Sequence, residues 1–195
     1  MLGRARQKAA PVTGAAESLY MALVAAARRP APYRDYGVPD TVEGRFDMIV
    51  LHVGLLLHRL AGEGAAGQSL AQAIVDRFFA DMDRSLREMG VSDLGMSRRM
   101  REMAGNFYGR LAVYTPAMAS RDARTLAEAI GRNLFADKAP STGAVQLARY
   151  SLAAIEVLKE QASNTILAGR MSLPDLDPRG WTTRDERRHD PQAAG

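Results

Sequence analysis

The chain has 195 residues, and 47% of them are hydrophobic, which is enough for one domain with its own core. The formal net charge of +4 favours an anionic partner but is small for a dedicated nucleic-acid binder, so no DNA partner is expected. The absence of cysteine excludes disulfides and thiolate metal sites.

Targeting and membrane segments are not predicted. The apolar residues near the N-terminus are periodic, whereas a secretory signal would show one continuous run. The longest apolar run, 48–57, is shorter than the roughly 20 residues that cross a bilayer. We therefore expect a soluble, cytoplasmic protein that contacts the inner membrane at most peripherally.

Hydrophobic periodicity predicts an all-α single-domain bundle of about six helices, without strands. A flexible N-terminus (1–14) precedes a first helix over 15–28. The segment 30–40 contains three prolines and two tyrosines, which indicates an extended Pro/Tyr-rich arm. Asp40 and Glu43 form a capping-box pattern that opens a second helix. That helix is apolar around most of its circumference, which predicts a central place in the core.

Ser69 and Gln72 form another capping box, which predicts a third helix that runs to Met89. Gly90 should end it in a left-handed conformation. A fourth helix is expected to start near Met96 and to end or kink at Pro116. The apolar stripes of these two helices, at steps of three or four, are Val75, Phe78, Phe79, Met82, Leu86 and Met89, and then Met96, Met100, Met103, Phe107, Leu111 and Tyr114.

The last part of the chain predicts two more helices. Ser120 can cap a fifth helix over 121–135, and a loop over 137–143 leads to a sixth helix over about 144–168. The helical domain is thus expected over 15–173. The polar segment 174–195 predicts a flexible, disordered tail in which Trp181 can still dock.

The stretch Asp81–Arg110 has the most unusual composition, because arginines alternate there with methionines and aromatic residues. Residues 84–110 include six arginines and three acidic residues, which gives a local net charge of +3. Such a surface suits partner binding better than catalysis. The partner-binding candidates are Arg84, Arg87, Arg98, Arg99, Arg101, Gly105, Asn106, Tyr108, Gly109 and Arg110.

Each of these features also has a purely structural interpretation. The arginines can form salt bridges to neighbouring helices, and the methionines can belong to the core rather than to an adaptable apolar groove. Two glycines inside a helix each cost about 1 kcal/mol relative to alanine. Something must therefore approach Gly105 and Gly109 closely, either a neighbouring helix or a client segment.

Catalytic, metal and cofactor sites are not predicted. His52 and His58 are six residues apart on one helix, about 240° around its axis, and cannot converge on one metal. The third histidine, His189, lies in the tail. Acidic side chains of the third helix (Asp76, Asp81 and Asp83) are expected to pair with its arginines (Arg77, Arg84 and Arg87). No phosphate-binding loop or nucleophile elbow occurs, so the chain is predicted not to be an enzyme.

Three runs resemble one family: FDMIVLHVGLLLHRL, QAIVDRFFADMDRSLREMGVSDLGMSRRMREMAGNFYGRLAVY and LAEAIGRNLF. The chain is similar over about 33–164 to the ubiquinol-cytochrome c chaperone family, the bacterial relatives of the mitochondrial factor that assists assembly of respiratory complex III. The most specific part is MDRSLREMGVSDLGMSRRMREMAGNFYGR. The resemblance implies an all-helical, non-enzymatic chaperone domain that binds newly made cytochrome b, with a partner protein, near the ribosomal exit.

Residues and resemblance together predict a chaperone or assembly factor that shields an apolar segment of a membrane-protein client. A ribosome surface and a membrane face are further candidate partners. Two alternatives remain open. One is a ribosome- or RNA-binding helical module that uses the same arginines, and the other is an enzyme or binding protein for an isoprenoid or quinone-like lipid held in a helical pocket.

Overall fold

Helices are the regular structure of the described part of the chain. The structure is a computed structural model; it describes residues 2–136 and 139–176, with side chains described from residue 12 onward. The predicted all-α class is confirmed, since these ranges contain eight helices and no strand. The helices are α1 (Leu2–Ala27), α2 (Pro30–Arg34), α3 (Val42–Leu60), α4 (Gly64–Glu88), α5 (Asp93–Ser120), α6 (Ala123–Leu134), α7 (Thr142–Glu160) and α8 (Ser163–Leu167).

The second predicted helix, α3, is central to the core, as its all-round apolar sequence indicated. Its residues from Phe46 to Leu56 are buried, and α1, α4, α5, α6 and α7 all contact it. His52 lies in this core, and its Nδ1 donates to the Met48 carbonyl oxygen at 2.8 Å. Its Nε2 then accepts from the Tyr150 hydroxyl at 2.9 Å. His52 is therefore a core histidine with both ring nitrogens bonded.

The start of α3 differs from the prediction. Thr41 caps the helix, because its side chain accepts a hydrogen bond from the Gly44 amide at 3.1 Å. The predicted capping box of Asp40 and Glu43 is wrong. Asp40 forms an ion pair with Arg45 at 2.7 Å instead. Thr41 and Asp40 are both good capping residues, and the local backbone selects the one adjacent to the helix.

The predicted capping box of α4 is also wrong. The helix begins at Gly64, so Ser69 lies inside it and donates to the Ala65 carbonyl oxygen at 2.9 Å. Gly67 passes so close to α3 that a Cβ there would lie 2.4 Å from the Leu60 carbonyl oxygen. The small residues at the start of α4 thus allow α4 to pass close to the end of α3, and a short turn is enough to connect the two helices.

Two more predicted helix ends shift. Ser120 is the last residue of α5, and Asp122 caps α6 by accepting from the Arg124 amide at 3.0 Å. Pro116 does not end α5. It lies on an exposed part of the helix, and the backbone hydrogen bond that its nitrogen cannot donate would have gone to the carbonyl oxygen of Ala112, which is also exposed. The freed carbonyl can therefore bind water.

The N-terminal elements are more helical than predicted. The first helix, α1, begins at Leu2 rather than at 15, and the segment from 2 to 14 is rich in Arg, Gln, Lys and Ala, which favour helix. The predicted arm contains α2, which starts at Pro30, where the fixed φ of proline suits a first helical residue. Tyr33 fastens it by donating to the Ala27 carbonyl oxygen at 2.7 Å.

The predicted sixth helix is divided into α7 and α8 by a break at Gln161, whose ψ is 135°. The side-chain amide of Gln161 holds residue 172 with two hydrogen bonds. Its Nε2 donates to the Ser172 carbonyl oxygen at 2.9 Å, and its Oε1 accepts from the Ser172 backbone N–H at 2.7 Å. Arg29 donates to the Pro174 carbonyl oxygen at 3.0 Å, and Leu176 is buried. The first residues of the predicted tail therefore pack on the domain. Trp181, His189 and the rest of that tail lie outside the described residues.

Candidate interaction surface

A short, hydrogen-bonded turn joins α4 and α5 into a helical hairpin that contains the whole candidate surface. Gly90 has a φ of +79°, as its predicted role at the helix end requires. The Gly90 amide donates to the Arg87 carbonyl oxygen and the Val91 amide to that of Leu86, both at 3.0 Å. These bonds match a Schellman motif, which satisfies carbonyls at the end of α4. Helix α5 then begins at Asp93, slightly before the predicted Met96.

The inner seam of the hairpin is aromatic and methionine-rich. The Phe107 ring lies 4.7 Å from Phe78 and 5.3 Å from Phe79, measured between centroids. Met82 is buried in the same core cluster, and Met96 is buried near the start of α5, so these methionines build the fold. The prediction fails for Met89, which is the C-cap of α4 and is 55% exposed. The seam residues that remain half-buried include Val75, Phe79, Met100 and Met103.

Arg110 does not lie on an outer ridge of α5, because its side chain turns inward to Asp47 of α3. The two side chains are only 16% and 6% exposed, and Nε of Arg110 lies 2.6 Å from Oδ1 of Asp47. That contact is short but poorly aligned for a hydrogen bond. Nη2 donates to Oδ2 at 3.1 Å, and the guanidinium lies 5.6 Å from the Phe46 ring centroid. Arg110 therefore connects two core helices.

Asp47 is the residue of this region that the sequence prediction missed, as the buried partner of Arg110. It is a lone acid in the apolar run FDMIVL, and that isolation is the signal that could have revealed it. Burial raises the pKa of Asp47 to about 6, while the hydrogen bond and charge of Arg110 act in the opposite direction. Burial, together with the Asp47 charge, also raises the pKa of the neighbouring Tyr114.

The exposed arginines divide into paired and unpaired groups. Arg87 contacts Asp83 at 2.9 Å and Asp93 at 3.2 Å. The pairing predicted on α4 is thus confirmed for Asp83 with Arg87, and Asp81 pairs with Arg77, but Asp76 and Arg84 form no ion pair with a described residue. Arg98 and Arg99 both reach Glu102, at 2.9 and 3.5 Å. Exposed pairs of this kind contribute about 0.2–1 kcal/mol each. The remaining members of the set, Arg84 and Arg101, are exposed and form no ion pair with any described residue.

Asp76 and Asp81 of α4 form contacts with neighbouring side chains of the domain. Asp81 pairs with Arg77 at 3.4 Å and accepts from the Tyr20 hydroxyl at 2.9 Å. Asp76 accepts from Gln72 at 2.8 Å. These contacts support the structural interpretation of the carboxylates over an acid–base role. No group of side chains that could hold a metal ion occurs among the described residues.

The outer face of α5, which we define as Arg101, Gly105, Tyr108 and Gly109, is open. These positions share one side of the helix at steps of three and four. A Cβ built at Gly105 or at Gly109 would meet no atom within 4 Å. A neighbouring helix of the described chain is thus excluded as the reason for these glycines. Tyr108 is 56% exposed, and its ring packs edge-to-face with Phe107, with 5.1 Å between centroids. Asn106 is also exposed, but two positions away it points to another side of the helix.

Two cavities among the described residues do not resemble a lipid pocket. One, of about 200 Å³, is lined by Leu55 and Ile155 and by four basic side chains, those of His58, Arg59, Arg121 and Lys159. These basic residues lie at the C-terminal ends of α3, α5 and α7, where cations balance the helix dipoles. Arg59, for example, donates to the Leu158 carbonyl oxygen at 2.9 Å. A wider groove of about 430 Å³ near α2 is lined mostly by arginines and Asp40.

Comparison with known proteins identifies the family. The family model described as "Ubiquinol-cytochrome C chaperone" matches residues 34–173. The chain belongs to the ubiquinol-cytochrome C chaperone family. The match includes all of α3 to α7, and with them the hairpin and its outer face. The resemblance predicted from the sequence runs is thereby confirmed.

A solved structure, described as the crystal structure of the Cbp3 homolog from Brucella abortus, shares the fold of this family member. The TM-score is 0.79 at 39% identity, over 90% of this chain and 97% of that chain. The likeness supports one all-α bundle with the observed helix order.

Animal relatives match a smaller part of this family member. Ubiquinol-cytochrome-c reductase complex assembly factor 1 of Xenopus laevis is 34% identical over 98 residues, which is 50% of this chain and 48% of that protein. The human protein of the same name is 32% identical over 98 residues, and these cover 50% of this chain and 32% of that protein. The chain thus spans less than half the length of these relatives. Within its described residues, none of the helices has the length and apolar character needed to cross a bilayer.

Proposed function

We propose that this chain is a non-enzymatic assembly factor for ubiquinol-cytochrome c reductase, respiratory complex III, and that it binds an apolar segment of a membrane-protein client. Family membership and the names of the animal relatives support complex III assembly. Cytochrome b, the client that the family resemblance implies, is the proposed client. The proposal requires no cofactor.

The observation that carries the proposal is the open outer face of α5. Gly105 and Gly109 lie in the interior of an exposed helix, where each costs about 1 kcal/mol relative to alanine, and nothing in the described chain occupies the space above them. Small residues let another helix approach the backbone closely. Tyr108 offers a rigid aromatic surface between the two glycines. This arrangement suits a passing apolar helix.

The arginine at the edge of this face fits the same client. Arg101 is exposed and forms no ion pair with described residues, so its cation is available to polar groups that flank an apolar segment. Arginine also lays its aliphatic stem along apolar surface while the guanidinium stays in water. The half-buried methionines of the hairpin seam, Met100 and Met103, can adapt to more than one client sequence.

A steric block on the outer face tests the proposal. Gly105→Leu with Gly109→Leu raises helix propensity, so folding should survive, but the leucines fill the space that a client helix needs. In a strain that lacks the wild-type gene, this variant should fail to restore b-type cytochrome in membranes, measured by difference spectra. Ala25→Leu on the exposed face of α1 is the matched control and should restore it. Full restoration by the double variant would refute binding at this face.

A further inference from the structure

The turn of the α4–α5 hairpin presents large apolar side chains to solvent. Leu94 is 97% exposed and Met89 is 55% exposed, and the turn between them defines the hairpin tip (residues 89–94). An almost fully exposed leucine has no covering atoms from its own chain. The tip is therefore convex, and its apolar side chains project outward. A pocket that receives one of them would have to be supplied by a partner.

The hairpin tip is also held in shape. The two turn hydrogen bonds from Gly90 and Val91 fix the end of α4. On the other side, a Cβ at Gly95 would lie 3.4 Å from Cγ1 of Val91, so Val91 packs against the start of α5. The turn cannot easily fold Leu94 back onto the protein. Its exposure is a fixed property of the fold.

Arginines flank these apolar side chains. Arg98 and Arg101 follow Leu94 at steps of four and seven residues, so all three share one side of α5. Over 83–102, five arginines and four acidic residues give a net charge of +1. Arg84 and Arg101 form no ion pair with a described residue, so their charges are available. An apolar projection flanked by such cations is complementary to an anionic lipid surface. The acyl region accepts a projecting leucine without a preformed pocket, and the arginines then lie at the phosphate level.

We propose that the hairpin tip inserts Leu94 and Met89 into the surface of an anionic lipid bilayer, with Arg84 and Arg101 bound to the lipid phosphates. A protein partner fits less well, because it would need a cavity matched to a convex leucine. Leu94 and Gly105 lie on the same side of α5, eleven positions or about 16 Å apart along its axis, with Arg101 between them. The contact would place the client-binding face next to the bilayer.

The full chain contains no cysteine, so a single introduced thiol is a unique labelling site. An environment-sensitive fluorophore on Leu94→Cys should brighten and shift to shorter wavelength with vesicles of phosphatidylcholine and phosphatidylglycerol. It should not respond to phosphatidylcholine alone. The same label on Met21→Cys, another exposed apolar site at 52% on α1, should not respond to either. Without label, Leu94→Ser should lower the affinity for the anionic vesicles about tenfold, as expected when a leucine no longer enters the acyl region.

Three outcomes would overturn the inference. One is that the wild-type chain does not sediment with anionic vesicles. Another is that Met21→Ser lowers vesicle binding as much as Leu94→Ser does. The third is that the label at Leu94 responds to an apolar segment of cytochrome b but not to vesicles, in which case the hairpin tip is part of the client site. A negative result in the vesicle experiments would not change the expected outcome of the Gly105 and Gly109 substitutions. The two proposals can therefore be judged separately.

Discussion

Arg110 of α5 and Asp47 of α3 form an ion pair that is nearly sealed from solvent, with 2.6 Å between Nε and Oδ1. The pair lies on the inner side of the same helix whose outer side is open at Gly105 and Gly109. It joins α5 to the central helix, in addition to the packing of buried side chains such as Phe107 and Tyr114.

Removal of the cation from this pair should cost much of the domain's stability. Arg110→Met leaves the Asp47 carboxylate buried without its partner, and we expect the free energy of unfolding to fall by about 3 kcal/mol at neutral pH. Urea unfolding followed by circular dichroism measures this. Arg101→Met, on the exposed face of the same helix, should change stability by less than about 0.5 kcal/mol. Equal effects of the two substitutions would show that the buried ion pair does not contribute more to stability than an exposed arginine does.

His52 should make the fold sensitive to acid. Burial lowers the pKa of His52 from 6.5 to about 4, so the unfolded chain binds the proton more readily than the folded one. This contribution to stability is complete above pH 6.5 and is lost as the pH falls towards 4. His52→Gln should therefore show a shallower loss of unfolding free energy over that range. A slope identical to that of the wild type would contradict the assignment.

The glycines of the outer face should be dispensable for folding. Gly105→Ala and Gly109→Ala should each raise the free energy of unfolding by about 0.5–1 kcal/mol, because the added methyl meets no atom. Thermal or urea unfolding checks this. Gly143→Ala is the contrasting control, since its Cβ would lie 1.8 Å from the Tyr36 carbonyl oxygen, and it should destabilise strongly. If Gly105→Ala destabilised the fold, the open space would not exist in solution.

The hairpin's arginines should bind RNA only weakly. Arg87, Arg98 and Arg99 are held in ion pairs, which leaves Arg84 and Arg101. Two phosphate contacts give a log–log dependence of affinity on salt with a slope of only about 1 to 2. Fluorescence anisotropy of a labelled RNA across a salt series measures the affinity. Comparison of the wild type with the double variant Arg84→Gln, Arg101→Gln gives the contribution of these two arginines to RNA binding. A steep slope that these two substitutions remove would favour the RNA-binding alternative.

Patterns carried by many residues allowed the best sequence predictions. The all-α class and the central place of α3 followed from apolar periodicity, and Gly90 was placed correctly because few residues other than glycine adopt its φ of +79°. The aromatic and methionine seam was also placed correctly, apart from Met89. That residue follows the last helical turn, so the helical period no longer determines where it points.

Features that depend on distant parts of the chain could not be predicted. The break at Gln161 follows no proline or glycine, and its side chain is bonded to Ser172. Asp47 and Arg110 are far apart in sequence, and only the packing of α3 on α5 brings them together. The glycines of α5 could be recognised as unusual, but the open space above them is visible only in three dimensions.

Site-specific photocrosslinking from the outer face of α5 tests the central claim most directly. A photoreactive amino acid at Tyr108, which is 56% exposed, would be compared in membranes with the same group at Met21 on α1, which is 52% exposed. The account predicts that illumination joins newly made cytochrome b to the chain at position 108 and not at position 21. A cytochrome b adduct from position 21 alone, or none from position 108 while complex III assembly is intact, would contradict it.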